Sequence, residues 1–124
     1  MSMEESYTNP PNAARKITLA ETEDFEREGF SGHVYIPSKA NVGFNALAVD
    51  VHGSHPLKRM GDGTTRAYFV IDGTGNFTLN GTTTSMQKGD LFVIPPGQEY
   101  EYNGEMHLFE FNVSPDNSFR DEKL

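Results

Sequence analysis

Short apolar runs separated by glycine- and proline-rich turns dominate the chain from residue 32 onward. Each run is short enough for a β-strand, and none shows the three-turn periodicity of an amphipathic helix. The predicted strands cover residues 34–36, 42–51, 66–71, 76–79, 82–86, 91–94, 99–102 and 108–113. Strands at intervals of about ten residues predict an all-β sandwich or barrel. The Gly-Asp and Pro-Pro-Gly turns between them favour a double-sheet jelly roll.

Turn residues predict how these strands are connected. Asn80-Gly81 lies between two alternating polar and apolar runs and is the strongest hairpin signal in the chain. Residues 57–65 are predicted to form a loop with Gly61-Asp62-Gly63 at its tip, and residues 72–75 to form a turn.

Length and charge limit the classes of function. A chain of 124 residues with 35% hydrophobic residues is enough for one domain with one core. A net charge of -8 argues against nucleic acid and anionic membranes as partners. The first residues lack an apolar leader, which predicts a cytoplasmic protein. The absence of cysteine excludes disulfides, thiolate metal ligands and thiol nucleophiles.

The domain organisation is predicted to be simple. Polar residues 1–14 are interpreted as a flexible arm, and residues 15–124 as one domain whose core motifs lie within 43–113. Small jelly rolls leave sheet edges exposed, and a partner's strand or arm commonly covers them. We therefore expect a homodimer in which residues 1–30 are available to cover an edge.

The stretch GDLFVIPPG, from Gly89 to Gly97, is an apolar strand between a Gly-Asp turn and a Pro-Pro-Gly turn. It resembles the second motif of the cupin superfamily, a glycine followed by a proline, a glycine and a histidine at fixed spacing. Gly89, Pro95 and Gly97 stand at the required positions, and Tyr100 stands where the family has histidine. The resemblance implies a single-domain cupin barrel.

The first cupin motif is also altered. That motif has a histidine pair and then a glutamate seven residues before a glycine. Counted back from Gly73, the glutamate position is Arg66. His55 matches the second histidine, Gly53 stands at the first, and His52 is one place out of register. The family's metal set of three histidines and one glutamate is thus reduced to His55.

Ligand chemistry makes a metal site at this position an alternative rather than the first expectation. A stable divalent site needs three or four donors within about 2.0–2.3 Å of the ion. Arg66 has no lone pair to give, and Tyr100 is a poor neutral donor. We therefore expect no cofactor. The alternative is a divalent transition metal held by His52 and His55, if a local bulge brings the two side chains together.

The cupin resemblance implies that His55 faces the interior of the barrel and that one face of each neighbouring strand does so too, and strand alternation gives the side chains that share such a face. The predicted inward set is Arg66, Tyr68 and Val70, then Tyr100 and Tyr102, then His107, Phe109 and Phe111. This composition, an aromatic wall with few polar groups, is typical of a small-molecule pocket. The predicted ligand-binding residues are His55, Arg66, Tyr68, Tyr102 and Phe109.

Arg66 has two possible roles. A guanidinium can bind a carboxylate or phosphate of a ligand through two parallel hydrogen bonds. It can equally form an internal salt bridge, for which the candidate partners are Glu99, Glu101 and Glu110. A buried unpaired guanidinium is too costly to persist, so one of the two is required.

Three functions are compatible with these residues. The first is metal-free binding of a small anionic or polar ligand inside the barrel, around Arg66. The second is a sugar or keto-acid isomerase or epimerase in which His55 and a tyrosine, Tyr100 or Tyr102, transfer protons. This pair resembles the histidine and tyrosine of metal-free cupins that isomerise or epimerise nucleotide-linked sugars. The third is a degenerate metal-dependent cupin enzyme that uses His52 and His55.

Overall fold

The computed structural model describes residues 14–117, 119 and 121–123, which form eight strands and two short 3-10 turns. The strands are β1 (Glu23–Arg27), β2 (Phe30–Ile36), β3 (Phe44–Met60), β4 (Thr65–Leu79), β5 (Thr82–Gln87), β6 (Leu91–Ile94), β7 (Glu99–Val113) and β8 (Asp121–Lys123). The 3-10 turns are Leu19–Glu21 and Ser38–Ala40. The described residues contain no α-helix, and the predicted all-β jelly roll is confirmed.

All strand pairs are antiparallel, and their order is β1-β2-β3-β7-β4-β5. β6 pairs with the first half of β4, and β8 pairs with the end of β3. The three central strands, β3, β7 and β4, are 15 to 17 residues long. Each of them therefore curls through the whole barrel.

A row of three glycines crosses the central strands at one level. Gly104 of β7 lies opposite Gly53 of β3 and opposite Gly75 of β4. Gly104 has a φ of 138°, and a Cβ built there would lie 2.5 Å from the carbonyl oxygen of Thr74. Only glycine permits this approach, so β7 and β4 lie too close together at this level for a side chain.

Register shifts decide which side chains face inward. In β4 the shift between Val70 and Asp72 moves the inward positions from even to odd residue numbers. In β3 a similar shift lies between His55 and Lys58. β7 has no shift, so its inward positions keep one parity from end to end.

Twelve buried apolar and aromatic side chains fill the barrel. They are Val49, Val51, Met60, Tyr68, Val70, Phe77, Met86, Ile94, Tyr100, Tyr102, Met106 and Leu108. The aromatic members stack in a chain, since the ring centroid of Phe77 lies 4.8 Å from that of Tyr102 and 5.2 Å from that of Tyr68. The interior next to His55 is therefore packed with rings.

The predicted Asn80-Gly81 hairpin is confirmed, since β4 and β5 pair up to Leu79 opposite Thr82 and both turn residues have positive φ. Two predicted interruptions are wrong. β3 continues through Pro56 to Met60, and β4 passes through residues 72–75 without a break. Both strands absorb their turn-forming residues as register shifts. The predicted flexible arm lies outside the described residues, apart from Ala14.

Candidate active site

His55 lies at the wall of an open cleft of about 650 Å³, where the turn between β1 and β2 lies next to residues 52–58 of β3. The residues that line the cleft are Arg27, Glu28, Gly29, Phe30, His52, Gly53, Ser54, His55, Pro56 and Lys58. His55 is only 4% exposed, and its Nδ1 atom is fully buried. His55 therefore borders the cleft with only a small part of its surface.

Aromatic rings fix the orientation of His55. Tyr102 lies directly opposite it on β7, with ring centroids 4.4 Å apart and an angle of 21° between the planes. Tyr100 stacks at 5.3 Å, and Phe30 of β2 lies at 4.9 Å. The imidazole is thus held by rings from two neighbouring strands. A fixed imidazole can accept or donate a proton at a defined point of the cleft.

Behind the histidine, three tyrosines form a buried cluster. Tyr68 and Tyr100 have their hydroxyl oxygens 3.4 Å apart, and the ring of Tyr102 meets that of Tyr68 edge-on, with the centroids 5.2 Å apart. Burial raises the pKa of Tyr68 and that of Tyr102 well above the ordinary value, and the nearby Glu110 carboxylate raises both further. Both hydroxyls therefore stay protonated at neutral pH and act as hydrogen-bond donors.

Arg66 is held by groups of the chain itself. Its Nε donates to Oδ1 of Asn112 at 2.5 Å and lies 3.3 Å from Oε2 of Glu110, and its Nη1 donates to the hydroxyl of Tyr100. Asn112 in turn donates from Nδ2 to Glu110 at 2.8 Å and to Asn45 at 2.6 Å. Of the two predicted roles, the structure thus contains the internal salt bridge. Binding of a ligand anion there would require this network to open.

The structure brings four of the five predicted binding residues together at the interior: His55, Arg66, Tyr68 and Tyr102. Tyr100, the predicted catalytic partner, is buried with them. Phe109 does not join them, because it lies on the outside of β7 and is 38% exposed. The prediction that His107, Phe109 and Phe111 face inward is wrong.

The error on β7 has a physical reason. The prediction treated residues 99–102 and 108–113 as separate strands, whereas β7 is continuous and keeps its alternation through Gly104. Counting by twos from Tyr100 places Glu110 and Asn112 inside. From the sequence, Glu110 is only one of three possible salt-bridge partners of Arg66, and Asn112 is not among the predicted interior residues.

The side chains at the position of the cupin metal site do not form a set of ligands that could hold a divalent ion. His52 is exposed and lies on the opposite face of β3 from His55, because the register shift comes after His55 and not before it. No group of three or more histidine, aspartate or glutamate side chains that could hold an ion occurs among residues 14–117, 119 and 121–123. The position of the family's acid carries the Arg66 cation instead.

The comparisons with known proteins agree with the fold. The sequence profile of the cupin domain matches residues 47–110, which is more than half of the chain. This chain belongs to the cupin family. A curated relative of this cupin, 5-aminosalicylate 1,2-dioxygenase of Comamonas sp, is 40% identical over 48 residues. That match covers 38% of this cupin and spans only 13% of the length of the dioxygenase.

Solved structures that are similar to this cupin include a nucleoside dehydratase from Streptomyces, with a TM-score of 0.77 and 23% identity over 90% of this cupin and 92% of the other chain. KdgF from Halomonas sp. is also similar, with a TM-score of 0.66 and 12% identity over 82% of this cupin and 94% of the other chain. At these identities the likeness shows the fold.

Three further structures of the Streptomyces protein contain uridine, and each carries one substitution. The substitutions replace one histidine by glutamine and each of two tyrosines by phenylalanine. In that chain the two tyrosines lie 13 and 47 residues after the histidine.

Within the described part of this cupin, no helix is long and apolar enough to cross a membrane.

Proposed function

We propose that this cupin is an acid–base enzyme that eliminates water from a small polar ligand of nucleoside or sugar type, with His55 as the proton-transferring group. The observation that carries the proposal is the position of His55 at the cleft, stacked on Tyr102, whose ring in turn contacts that of Tyr68. Here Tyr68 lies 13 residues after His55 and Tyr102 lies 47 residues after it. The histidine and tyrosines that were replaced in the Streptomyces dehydratase have the same spacing.

The chemistry follows from these groups. Neutral His55 accepts a proton from a carbon next to a carbonyl group of the ligand. Because Tyr68 and Tyr102 are buried behind His55, the ligand has to enter past the imidazole from the cleft. A tyrosine hydroxyl then donates a hydrogen bond to the carbonyl oxygen as negative charge develops on it. The histidine then returns the proton to the departing hydroxyl group, so that a carbon–oxygen bond breaks, a carbon–carbon double bond forms and water leaves.

The lining of the cleft supports a polar ligand. Arg27 and Lys58 supply cationic groups at its wall, and Glu28 supplies an acid. Phe30 offers an apolar surface on which a base or sugar ring can pack. Polar ligands with one apolar face suit this combination.

The test combines binding with turnover. Uridine is the binding probe, followed by protein NMR. Nucleosides and sugars that carry an aldehyde, keto or carboxyl group are the turnover probes, followed by mass loss of one water and by deuterium uptake from D2O. We expect His55→Gln to lower turnover by at least ~100-fold, the usual worth of a general base. We expect Tyr102→Phe, which keeps the stacked ring, to lower turnover without loss of binding.

His107→Gln is the matched control, since His107 is exposed and pairs with Asp50 on the outside of the barrel. If a probe takes up deuterium but does not lose water, the protein is an isomerase or epimerase and the proposed elimination is wrong. If uridine binds but no probe is turned over, the protein binds a small ligand without catalysis, which is the first of the three functions predicted from the sequence. An unchanged rate in His55→Gln would contradict the proposed role of the histidine.

A further inference from the structure

An uncharged apolar face lies on the outside of the sheet where β6, β4 and β7 run side by side. Its outward positions are Leu91 and Val93 of β6, Ala67, Phe69 and Ile71 of β4, and Phe109, Phe111 and Val113 of β7. All of these side chains are apolar in a chain whose net charge is -8. Such a face is unusual for a surface that contacts only water.

The strand register makes this face continuous. Phe69 lies directly opposite Leu91 on one side and Phe109 on the other, and Ala67 lies opposite Val93 and Phe111 in the same way. Residues that are directly opposite on antiparallel strands share one face and lie within contact distance. The apolar side chains thus form two adjacent rows rather than isolated spots.

The exposed area is what a dimer needs from each subunit. Six side chains on the face, Phe69, Ile71, Leu91, Val93, Phe109 and Val113, are each between 38% and 60% exposed. Taking about 200 Å² for a large exposed apolar side chain, they leave roughly 500 Å² of apolar surface open to solvent. A standard interface buries about 800 Å² per partner, of which about 65% is apolar in homodimers. Two copies of this face therefore match that requirement.

We propose that this apolar face binds the same face of a second copy of the chain, so that the protein is a symmetric homodimer with two sheets packed face to face. An isologous contact makes one patch serve both partners, and the flat row of side chains is self-complementary. This interface differs from the edge-covering arm that the sequence predicts for residues 1–30.

The chain's own remaining residues are poor candidates to cover the face. The positions outside the described residues supply four large apolar side chains: Met1, Met3, Tyr7 and Leu124. Polar and charged residues separate them, as in MSMEESYTN. A second copy offers a complete apolar face instead.

The interface leaves the cleft free. The face uses residues 109–113 of β7, whereas the strand segment next to the cleft pairs His55 with Tyr102, on the other side of Gly104. The dimer is therefore independent of the proposed acid–base function, and failure of either proposal leaves the other standing.

Molecular mass gives the first test. Light scattering after size exclusion is expected to give twice the 13.8 kDa of one chain. Leu91→Glu and Phe109→Glu each place two buried charges in a dimer, so we expect the dissociation constant to rise by at least about 100-fold. Leu19→Glu is the matched control, because Leu19 is 59% exposed against 60% for Leu91 but lies on the 3-10 turn before β1.

A cysteine reporter gives a second test that does not depend on a disruptive charge. The chain has no cysteine, so Leu91→Cys introduces a single thiol. We expect its rate of maleimide labelling to fall at least about tenfold as the protein concentration rises through the dissociation constant of the dimer. Labelling of Leu19→Cys is expected to stay constant over the same range.

Each alternative has its own result. A wild-type monomer at about 100 μM, well above the Kd of a stable dimer, with fast labelling at position 91 would overturn the proposal and leave the face for a different protein. Slow labelling that does not depend on concentration would mean that the chain covers its own face, which also overturns it. A dimer that persists in both glutamate variants would place the interface elsewhere. Far-UV circular dichroism of each variant shows that the fold is retained.

Discussion

The ion pair between Arg66 and Glu110 is expected to be worth far more than a surface pair of the same length. Its N–O distance is 3.3 Å, and both side chains are 10% exposed. The pair between Arg59 and Glu99 also has an N–O distance of 3.3 Å, but its side chains are 45% and 41% exposed. Burial is thus the main difference between the two pairs.

The magnitudes follow from desolvation. Arg66→Met leaves the Glu110 carboxylate buried next to Asn112 alone, and a broken buried pair typically costs about 3–5 kcal/mol of unfolding free energy. Arg59→Met leaves Glu99 in water, and an exposed pair is worth at most about 1 kcal/mol. The double variant Arg66→Met with Glu110→Gln removes both charges, so we expect it to cost less than the sum of the two single variants.

Urea unfolding provides the measurement, because the transition midpoint shifts in proportion to the free energy. The chain has no tryptophan, so tyrosine fluorescence and far-UV circular dichroism are the signals. At a slope of about 1–3 kcal/mol per molar urea, a loss of about 4 kcal/mol moves the midpoint by roughly 1.3–4 M. A coupling energy for the Arg66 pair no larger than that for the Arg59 pair would refute the reasoning.

Two further stability predictions concern the glycine row and the buried tyrosines. Gly104→Ala is expected to cost more than about 3 kcal/mol, because its Cβ would meet backbone of the neighbouring strand, whereas Gly97→Ala, with open space around it, is expected to cost about 1–2 kcal/mol in thermal or urea unfolding. Folding raises the pKa of Tyr68 and Tyr102, so the unfolded chain ionises first as the pH rises. The contribution of these two tyrosines to the unfolding free energy should be constant below about pH 10 and fall above it by up to about 1.4 kcal/mol per pH unit for each tyrosine. A smaller alkaline fall of the unfolding free energy in Tyr68→Phe would confirm the cause, and an equal one would contradict it.

Much of the fold is readable in the sequence because strand periodicity and hairpin turns are local signals. Asn80-Gly81 is one such signal, and β6 matches its prediction residue for residue. The lengths of β3, β4 and β7 are not local. Pro56 and the segment 72–75 look like strand ends. Each strand nevertheless continues, because β3 pairs with β7 before and after Pro56, and β4 pairs with β7 throughout 72–75.

The candidate site could be predicted only in part, because strand alternation is a local signal and strand continuity is not. Alternation grouped Arg66 with Tyr68, and Tyr100 with Tyr102, because each pair lies within one uninterrupted stretch of strand, and the cupin resemblance placed these faces and His55 inside. Phe109 was misplaced because its parity depends on whether β7 continues through Gly104. The partner of Arg66 could only be narrowed to three glutamates, since the choice depends on which of them shares its side of the sheet.

The row formed by Gly53, Gly75 and Gly104 also makes the barrel sensitive to the insertion or deletion of a residue at that level of the strands. A single-residue insertion in β7 at this level would preserve the pairing beyond Met106 and invert every side chain before Gly104. Tyr100 and Tyr102 would then point to water, and the histidine would lose its stacked partners while half of the barrel stayed intact. Natural variation in length is therefore expected in the connecting loops and not at the glycine row.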